Sequence, residues 1–424
     1  MDPEELHEMI KEDSELPPHI TANGEAKRVS EIENILLTGA TGNLAAYFLQ
    51  QLSKLESVKK VICLVRPRGQ ATGLDRLRSS LEDKGLGEET EWDKIECIEG
   101  DITEPHFGLP ESEYNELASN IDAIVHSAVK ADHIAPYRKN TKDKADVRSV
   151  NVFGTVNMLE FAGHVRSKHV LHASTLLSVT TTNEEDGTLG EDWPTLEEYS
   201  NVTNLGYPVS KYVAELLIAE GVRRGIPCKA IRFPLILGSS QTGQFSMHNN
   251  HFMMRLFAYL KMKCMPSAPT PAVVLPVDFC AKTAIQLFFN EEAPSDVYNV
   301  APPHPQLEQE FANVAEEMGY PMEIVEYDDY IKRVKEDGEK SLLYIFKELY
   351  NDVDFVNSLY TSSSVEAIQK WLIDSENFFV SKKLLKYQPS FFDEVEGSID
   401  IIKRDLKYAE KIGLFEKFEL TKVA

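Results

Sequence analysis

An α/β fold, a doubly wound parallel sheet of Rossmann type, is what three features of this 424-residue chain predict. The first is the stretch LLTGATGNLA, Leu36 to Ala45, where an apolar run meets a turn of small residues and opens into the helical pattern LAAYFLQQL. The second is an alternation of short apolar runs with longer amphipathic ones from about Glu33 onwards. The third is a change of texture after about residue 240, where polar and proline-rich stretches lead into an acidic, aromatic and mostly helical remainder. Together they divide the chain into an N-terminal helix and linker over 1–30, a dinucleotide-binding domain over 31–300 with loop insertions around 240–272, and a smaller, mainly helical substrate domain over 301–424.

In the glycine turn, Gly39 can adopt backbone angles closed to residues with a β-carbon, so the chain reverses sharply there. Gly42 lets the main chain approach a pyrophosphate, and Ala45 allows the helix to pack closely on its strand. The amides of Thr41, Gly42, Asn43 and Leu44 then stand at a helix N-terminus, where they can hold phosphate oxygens. The spacing is G-x-x-G-x-x-A, and taken alone it also fits an ordinary strand-to-helix turn.

Before that turn, ELHEMIKEDSEL reads as a short acidic helix followed by a Pro-Pro and Asn-Gly linker, either a connection to something upstream or a frayed terminus. After it, VICLVR (61–66), KIECIEGD (94–101), IDAIVHSA (121–128), KHVLHAS (168–174) and KAIRFPLI (229–236) read as strands. LDRLRSSLEDK, VNVFGTVNMLEFAGHV and PVSKYVAELLIAEGVRR carry helical spacing between them. Strand and helix in alternation imply parallel strands buried on both faces.

Composition removes several classes of function. Hydrophobic residues make up 42% and charged residues 26%, ordinary for a globular chain, and no apolar run approaches the roughly 18 residues of a membrane span. The acidic N-terminus lacks the apolar core of a signal peptide. The five cysteines are scattered without C-x-x-C spacing, which suits a reducing, cytoplasmic setting. A formal charge of -24 argues against nucleic acid and against anionic membranes.

The second strand ends in LVRPR, where an NAD-binding fold places a carboxylate for the ribose 2′-hydroxyl. Arg66 stands there instead, with Arg68 and Arg76 nearby, and a guanidinium matches the 2′-phosphate of NADPH. Asp101 lies where a third strand delivers a side chain to the adenine edge. Ser127 and Ala128, after the fourth strand, are small enough for backbone to pass beneath a cofactor. In Tyr207-Pro-Val-Ser-Lys211 the phenol and the ammonium share one helix face, and the ammonium is expected to lower the tyrosine pKa. A partnering hydroxyl comes from Ser174 or Thr175 in HASTLLSV. His248 and His251, in H-N-N-H, lack a third ligand and read as a polar loop, so no metal is expected. His126, His169 and His172 read as packed or hydrogen-bonded, and Trp193, Phe245, Phe252 and Tyr259 as core, with the lining of an acyl pocket as the alternative.

TGATGNLA, LVR, GDIT, VNVFGT, HAST, GYPVSKYVAE, IRFPLILG and VYNVAPP follow one another as in the extended short-chain dehydrogenases. Within them the chain most resembles the thioester reductase domains that end many non-ribosomal peptide synthetases, polyketide synthases, carboxylic acid reductases and aminoadipate reductases. The resemblance covers roughly residues 5–330 and includes the leading helix, similar to the segment joining a carrier domain to its reductase. It implies Thr175, Tyr207 and Lys211 as catalytic residues. It implies contacts to NADPH from Gly39, Thr41, Gly42, Asn43, Leu44, Arg66, Arg76, Asp101, Ile102, Ser127, Ala128, Tyr207, Lys211, Pro234 and Leu235. The segment HIAPYRKNTKDKADVRSVNVFGT is longer and more charged than its family counterpart, and no family motif falls beyond about residue 330.

The implied activity is reductive release of an acyl or peptidyl thioester from a phosphopantetheine carrier, as an aldehyde or onward to an alcohol. Hydride would reach the thioester carbonyl while Tyr207, helped by Thr175, donates to the oxyanion and Lys211 holds the ribose. The implied partner is an acyl or peptidyl carrier domain, met through RKNTKDK (138–144) or the N-terminal helix, with the chain a monomer or part of a multidomain synthetase. Alternatives are a non-redox release or cyclisation domain of the same fold, a fatty acyl-CoA reductase, and an NADP(H)-binding regulatory protein.

Overall fold

The computed structural model describes residues 3–132, 135–137, 146–179, 188–201, 205–247, 250–267, 271–337, 379–420 and 422. The basic run 138–144 and His248 lie outside them. Six strands, β1 (Asn34–Thr38), β2 (Lys60–Val65), β3 (Ile95–Glu99), β4 (Ala123–His126), β5 (His169–Thr175) and β6 (Cys228–Phe233), join a late strand, Val297–Asn299, in one seven-stranded sheet. Every pairing is parallel, in the order Val297–Asn299, β6, β5, β4, β1, β2, β3. This is the expected Rossmann-type sheet, and strand order reverses between β1 and β4, where the carboxyl ends of such strands form a crevice.

Side-chain alternation builds two apolar layers from the same strands. Ile35, Leu37, Val61, Cys63 and Val125 point into one, covered by the helices α2 (Asn43–Lys54) and α8 (Val277–Phe288). Leu36, Ile62, Leu64, Ile124 and Val170 point into the other, shared with α5 (Gly154–Gly163) and α6 (Gly206–Arg223). All five cysteines are free thiols, and Cys63, Cys228, Cys264 and Cys280 are buried.

The N-terminal helix α1 (Pro3–Asp13) is docked, so the frayed alternative does not hold. Leu6, Met9 and Ile10, with Leu16 and Ile20 after the helix, are buried in the second layer. Arg148 grips Asp13 through Nε and Nη2 at 2.6 and 2.5 Å, and the Tyr137 hydroxyl donates to the same carboxylate at 2.5 Å. Arg224, at the end of α6, donates to the carbonyls of Leu16 and Pro17 at 2.9 and 2.6 Å.

A third apolar cluster joins α7 (His251–Met262) to the later helices, with Phe252, Leu256, Phe257 and Tyr259 packed among Phe311, Ile401, Leu406 and Phe415. Phe245, Phe252 and Tyr259 are buried in this cluster, as a core reading requires, whereas Trp193 is half-buried against the second layer. No helix among the described residues is long and apolar enough to cross a membrane.

This region meets the sheet domain at Asp405, on the helix Ser398–Lys411, whose carboxylate accepts from the Gly238 amide at 2.7 Å. Burial raises the Asp405 pKa from 3.8 to about 7, with Asp278 and Glu396 adding to the shift and the Gly238 bond and Arg404 opposing it. A carboxyl raised on folding contributes stability that is complete below the unfolded pKa and is lost as pH climbs through the folded one, here from about 4 to 7. Asp405→Asn, which keeps the acceptor without the charge, should raise the melting midpoint by a few degrees more at pH 8 than at pH 5. Calorimetry at the two pH values checks this, and equal shifts would refute it.

Candidate active site

The crevice is built first by the glycine turn. Gly39 has φ +71°, and a β-carbon there would meet the backbone N and Cα of Ala128 at 2.6 and 2.7 Å. The turn after β1 and the small residues after β4 therefore touch main chain to main chain, and Ser127 and Ala128 are half-buried beneath it. Thr38 Oγ1 reinforces the contact by accepting from the Ala128 amide at 3.2 Å. Gly42 caps α2 in extended backbone without a side-chain cap, leaving first-turn amides that no intrahelical carbonyl can satisfy. Gly42 and Asn43 are exposed there, with Thr41 and Leu44 half-buried beside them. Such an end suits an anionic group.

At the tip of β2, Arg66 is exposed, and the Arg76 guanidinium reaches back to its carbonyl at 2.5 Å. Arg76 holds that position because α3 (Gly73–Glu82) starts at a Thr72–Asp75 capping box, with the Thr72 hydroxyl accepting from the Asp75 amide at 3.1 Å. Two guanidinium groups thus share the exposed edge past β2. Asp101 is committed to a turn, accepting from the Thr103 amide and hydroxyl, each at 2.9 Å. Ile102 is buried and its carbonyl accepts from Asn157 at 2.8 Å. Pro234 is half-buried and Leu235 exposed just past β6.

Thr175 ends β5, Tyr207 lies in the first turn of α6 and Lys211 one turn on. The Thr175 side chain is the neighbour that pulls the Tyr207 pKa down against burial. Ser174, its neighbour on the strand, points to the other side and donates to the Glu215 carboxylate, which leaves Thr175 as the hydroxyl on the Tyr207 side. Lys211 is buried and donates to the Ala173 carbonyl at 2.5 Å, with His172 Nε2 at 3.3 Å. Burial lowers the Lys211 pKa to about 8 against the pull of Glu215.

The tyrosine departs from expectation. Its pKa is pushed up to about 12 by burial, with only the Thr175 side chain lowering it. The reason is geometric: the ammonium is turned onto β5, towards Ala173 and His172, rather than onto the phenol. Tyr207 is therefore neutral throughout the physiological range.

The sequence reading gave no role to the buried pair beneath this site. Arg232 of β6 meets Glu215 of α6 at 2.6 Å and also donates to the carbonyl of Gly190 at 3.1 Å, while Ser178 donates to Glu215 at 2.5 Å. The only available signal was a charge inside each of two apolar runs, AELL and AIRF. Asn151, in the quoted VNVFGT, accepts from the Lys130 amide and donates to Ser210, both at 2.8 Å, and so ties the loop after β4 to α6. Among the described residues no three His, Cys, Asp or Glu side chains are grouped to hold a metal.

Residues 37–284 match the family model described as male sterility protein, an NAD-binding type. A nonribosomal peptide synthetase, asaC, of Aspergillus flavus is 30% identical over 72% of this chain, which covers 30% of that protein. The L-2-aminoadipate reductase large subunit of Penicillium chrysogenum is 28% identical over 77% of the chain and 24% of its own length. The chain thus spans less than a third of these relatives. Among solved structures, the terminal R domain of the myxalamid PKS-NRPS biosynthetic pathway superposes with a TM-score of 0.78 at 24% identity, over 96% of this chain and 98% of that one, which shows the shared fold.

Gly39→Ala should lower affinity for a nicotinamide dinucleotide at least about tenfold, since strain and the Ala128 contact both oppose it. Fluorescence titration beside a circular dichroism spectrum measures this; unchanged affinity in a folded variant would contradict the role given to the turn.

Proposed function

The chain belongs to the male sterility protein family of NAD-binding domains, and from that premise we propose that it is an NADPH-dependent thioester reductase. Its substrate is an acyl or peptidyl group on a phosphopantetheine carrier, released as an aldehyde or carried on to an alcohol. The observation that carries this reading is the grouping of Thr175, at the end of β5, with Tyr207 and Lys211, one turn apart on α6, beside a glycine turn with no room for a β-carbon. Relatives that are by name a peptide synthetase and an aminoadipate reductase support it.

The residues fit the cofactor. The exposed amide end of α2 suits its pyrophosphate, and Arg66 with Arg76 suits a 2′-phosphate. When bound, the cofactor would supply the hydride for the thioester carbonyl. Tyr207 then gives its proton to the developing alkoxide, and Thr175 keeps the phenol pointed at it. Lys211, protonated below about pH 8, places positive charge beside the site. The resulting hemithioacetal collapses by expelling the pantetheine thiol, so no protein nucleophile is needed. That agrees with four buried cysteines and burial-raised thiol pKa values at Cys63, Cys97 and Cys228. A non-redox domain of the same fold would have no use for a hydroxyl pair aimed at an oxyanion. The carrier partner is proposed on the same footing, since a thiolation-reductase di-domain is among the structures sharing this fold, with a TM-score of 0.65.

With an acyl-pantetheine thioester, NADPH absorbance should fall with time, and Tyr207→Phe should slow it about 10²–10⁴-fold. An unchanged rate in Tyr207→Phe, or no consumption with any acyl donor, sinks the reading. Arg66→Ala should cut the preference for NADPH over NADH about tenfold to a hundredfold, the worth of one charge-assisted contact. Equal affinity of the parent protein for both cofactors would refute that assignment.

A further inference from the structure

Two buried histidines lie side by side beneath the site, His126 on β4 and His172 on β5, with ring centroids 5.3 Å apart. The proton inventory of His126 is closed. The single hydroxyl proton of Thr155 goes to the Asn151 carbonyl at 2.7 Å, so His126 Nε2, 3.3 Å from that oxygen, must be the donor. Burial holds the His126 pKa down to about 3, so the ring is neutral and its Nδ1 accepts from Thr38 Oγ1 at 2.8 Å. His126 has nothing left to exchange with its neighbour.

His172 is different. Among the described residues its buried Nδ1 has no hydrogen-bond partner, and its Nε2 faces one polar group, Lys211 Nζ, at 3.3 Å. A side chain kept only for packing would not bring an unsatisfied nitrogen into the core. Burial, the Lys211 charge and His126 hold its pKa well below the usual histidine range, so the imidazole is neutral. An ammonium has no lone pair, hence Nε2 accepts and the ring proton sits on the orphan Nδ1.

We propose that His172 is a positioning residue for Lys211, accepting one ammonium proton through Nε2 while the Ala173 carbonyl takes a second, so that a single proton is left for the open side of the site. The ammonium has three donors, and two are spent on β5 at 3.3 and 2.5 Å. Among the described residues the other charge acting on it is Glu215, one turn on along α6 and itself paired with Arg232 at 2.6 Å, and Tyr207 stands one turn back on α6. Without the imidazole acceptor a buried cation loses its protonated form sooner as pH rises. The catalytic consequence rests on the proposed reductase activity; the hydrogen bond does not.

The test has two arms. In cofactor-free protein labelled with ¹⁵N-histidine, long-range proton–nitrogen spectra at pH 7 should show His172 as the Nδ1–H tautomer, with an Nε2 resonance that moves in Lys211→Met. An Nε2–H tautomer, or no response to Lys211→Met, overturns the proposal, and this arm requires no substitution at His172. In the second arm, His172→Phe should move the alkaline limb of the kcat/KM profile down by about one pH unit, and His172→Gln, whose amide oxygen can accept, should restore it. A limb unmoved in His172→Phe, or moved alike in both variants, would also overturn it. If the parent protein oxidises no NADPH, the reductase reading fails and the tautomer still decides the role of His172.

Discussion

The crevice depends on one steric constraint, the contact of main chain with main chain between Gly39 and Ser127–Ala128. It exists because strand order reverses between β1 and β4, so two turns leave adjacent strands on opposite paths and brush past each other. Everything polar nearby is arranged around that contact. Thr38 bonds the Ala128 amide from one side and the His126 ring from the other, and Asn151 carries the same loop across to α6. The turn that would receive a pyrophosphate and the helix that carries Tyr207 are therefore braced against one another through a few hydrogen bonds, each with a partner accounted for.

Below this level the site is an exercise in buried charge. Lys211, Arg232 and Glu215 are all nearly free of solvent contact, as are both histidines. The molecule tolerates them because each charge has a specific acceptor or counter-ion: Ala173 and His172 for the lysine, Glu215 for the arginine. Burial acts in opposite directions on the two groups of the Tyr-Lys motif. It makes the phenol a weaker acid and the ammonium a stronger one, bringing the lysine close to neutrality and taking the tyrosine away from it.

Much of the architecture was legible because it rests on short-range pattern. Apolar runs such as VICLV and AIVH are too short for helices and are bounded by turn formers, which favours strands covered on both faces, and small residues between a strand and a helix favour a tight turn. Tyr207 and Lys211 were legible as one helix face because their spacing is a property of the helix. What sequence spacing could not convey is orientation across the sheet. Whether Lys211 faces the phenol or the strand beneath it depends on Ala173 and His172, 38 and 39 residues away. The docking of α1 was equally hidden, since Asp13 meets Arg148 across 135 positions and Pro17 meets Arg224 across 207. Ser174 and Thr175 were indistinguishable as residue types and became distinct only once strand alternation was anchored by Glu215.

The Arg232–Glu215 pair carries a consequence for how such a chain can change by descent. Losing either partner alone strands a charge in the core, at a cost of about 3–5 kcal/mol, whereas an apolar pair of similar volume would fold as well or better. A lineage that acquired the ion pair is therefore held to it: every single-step route back crosses a destabilised intermediate. Ser174, Ser178 and the Gly190 carbonyl deepen that valley, because they take their own partners from the same two side chains. The two positions should therefore change only together, although they stand on different elements and 17 residues apart.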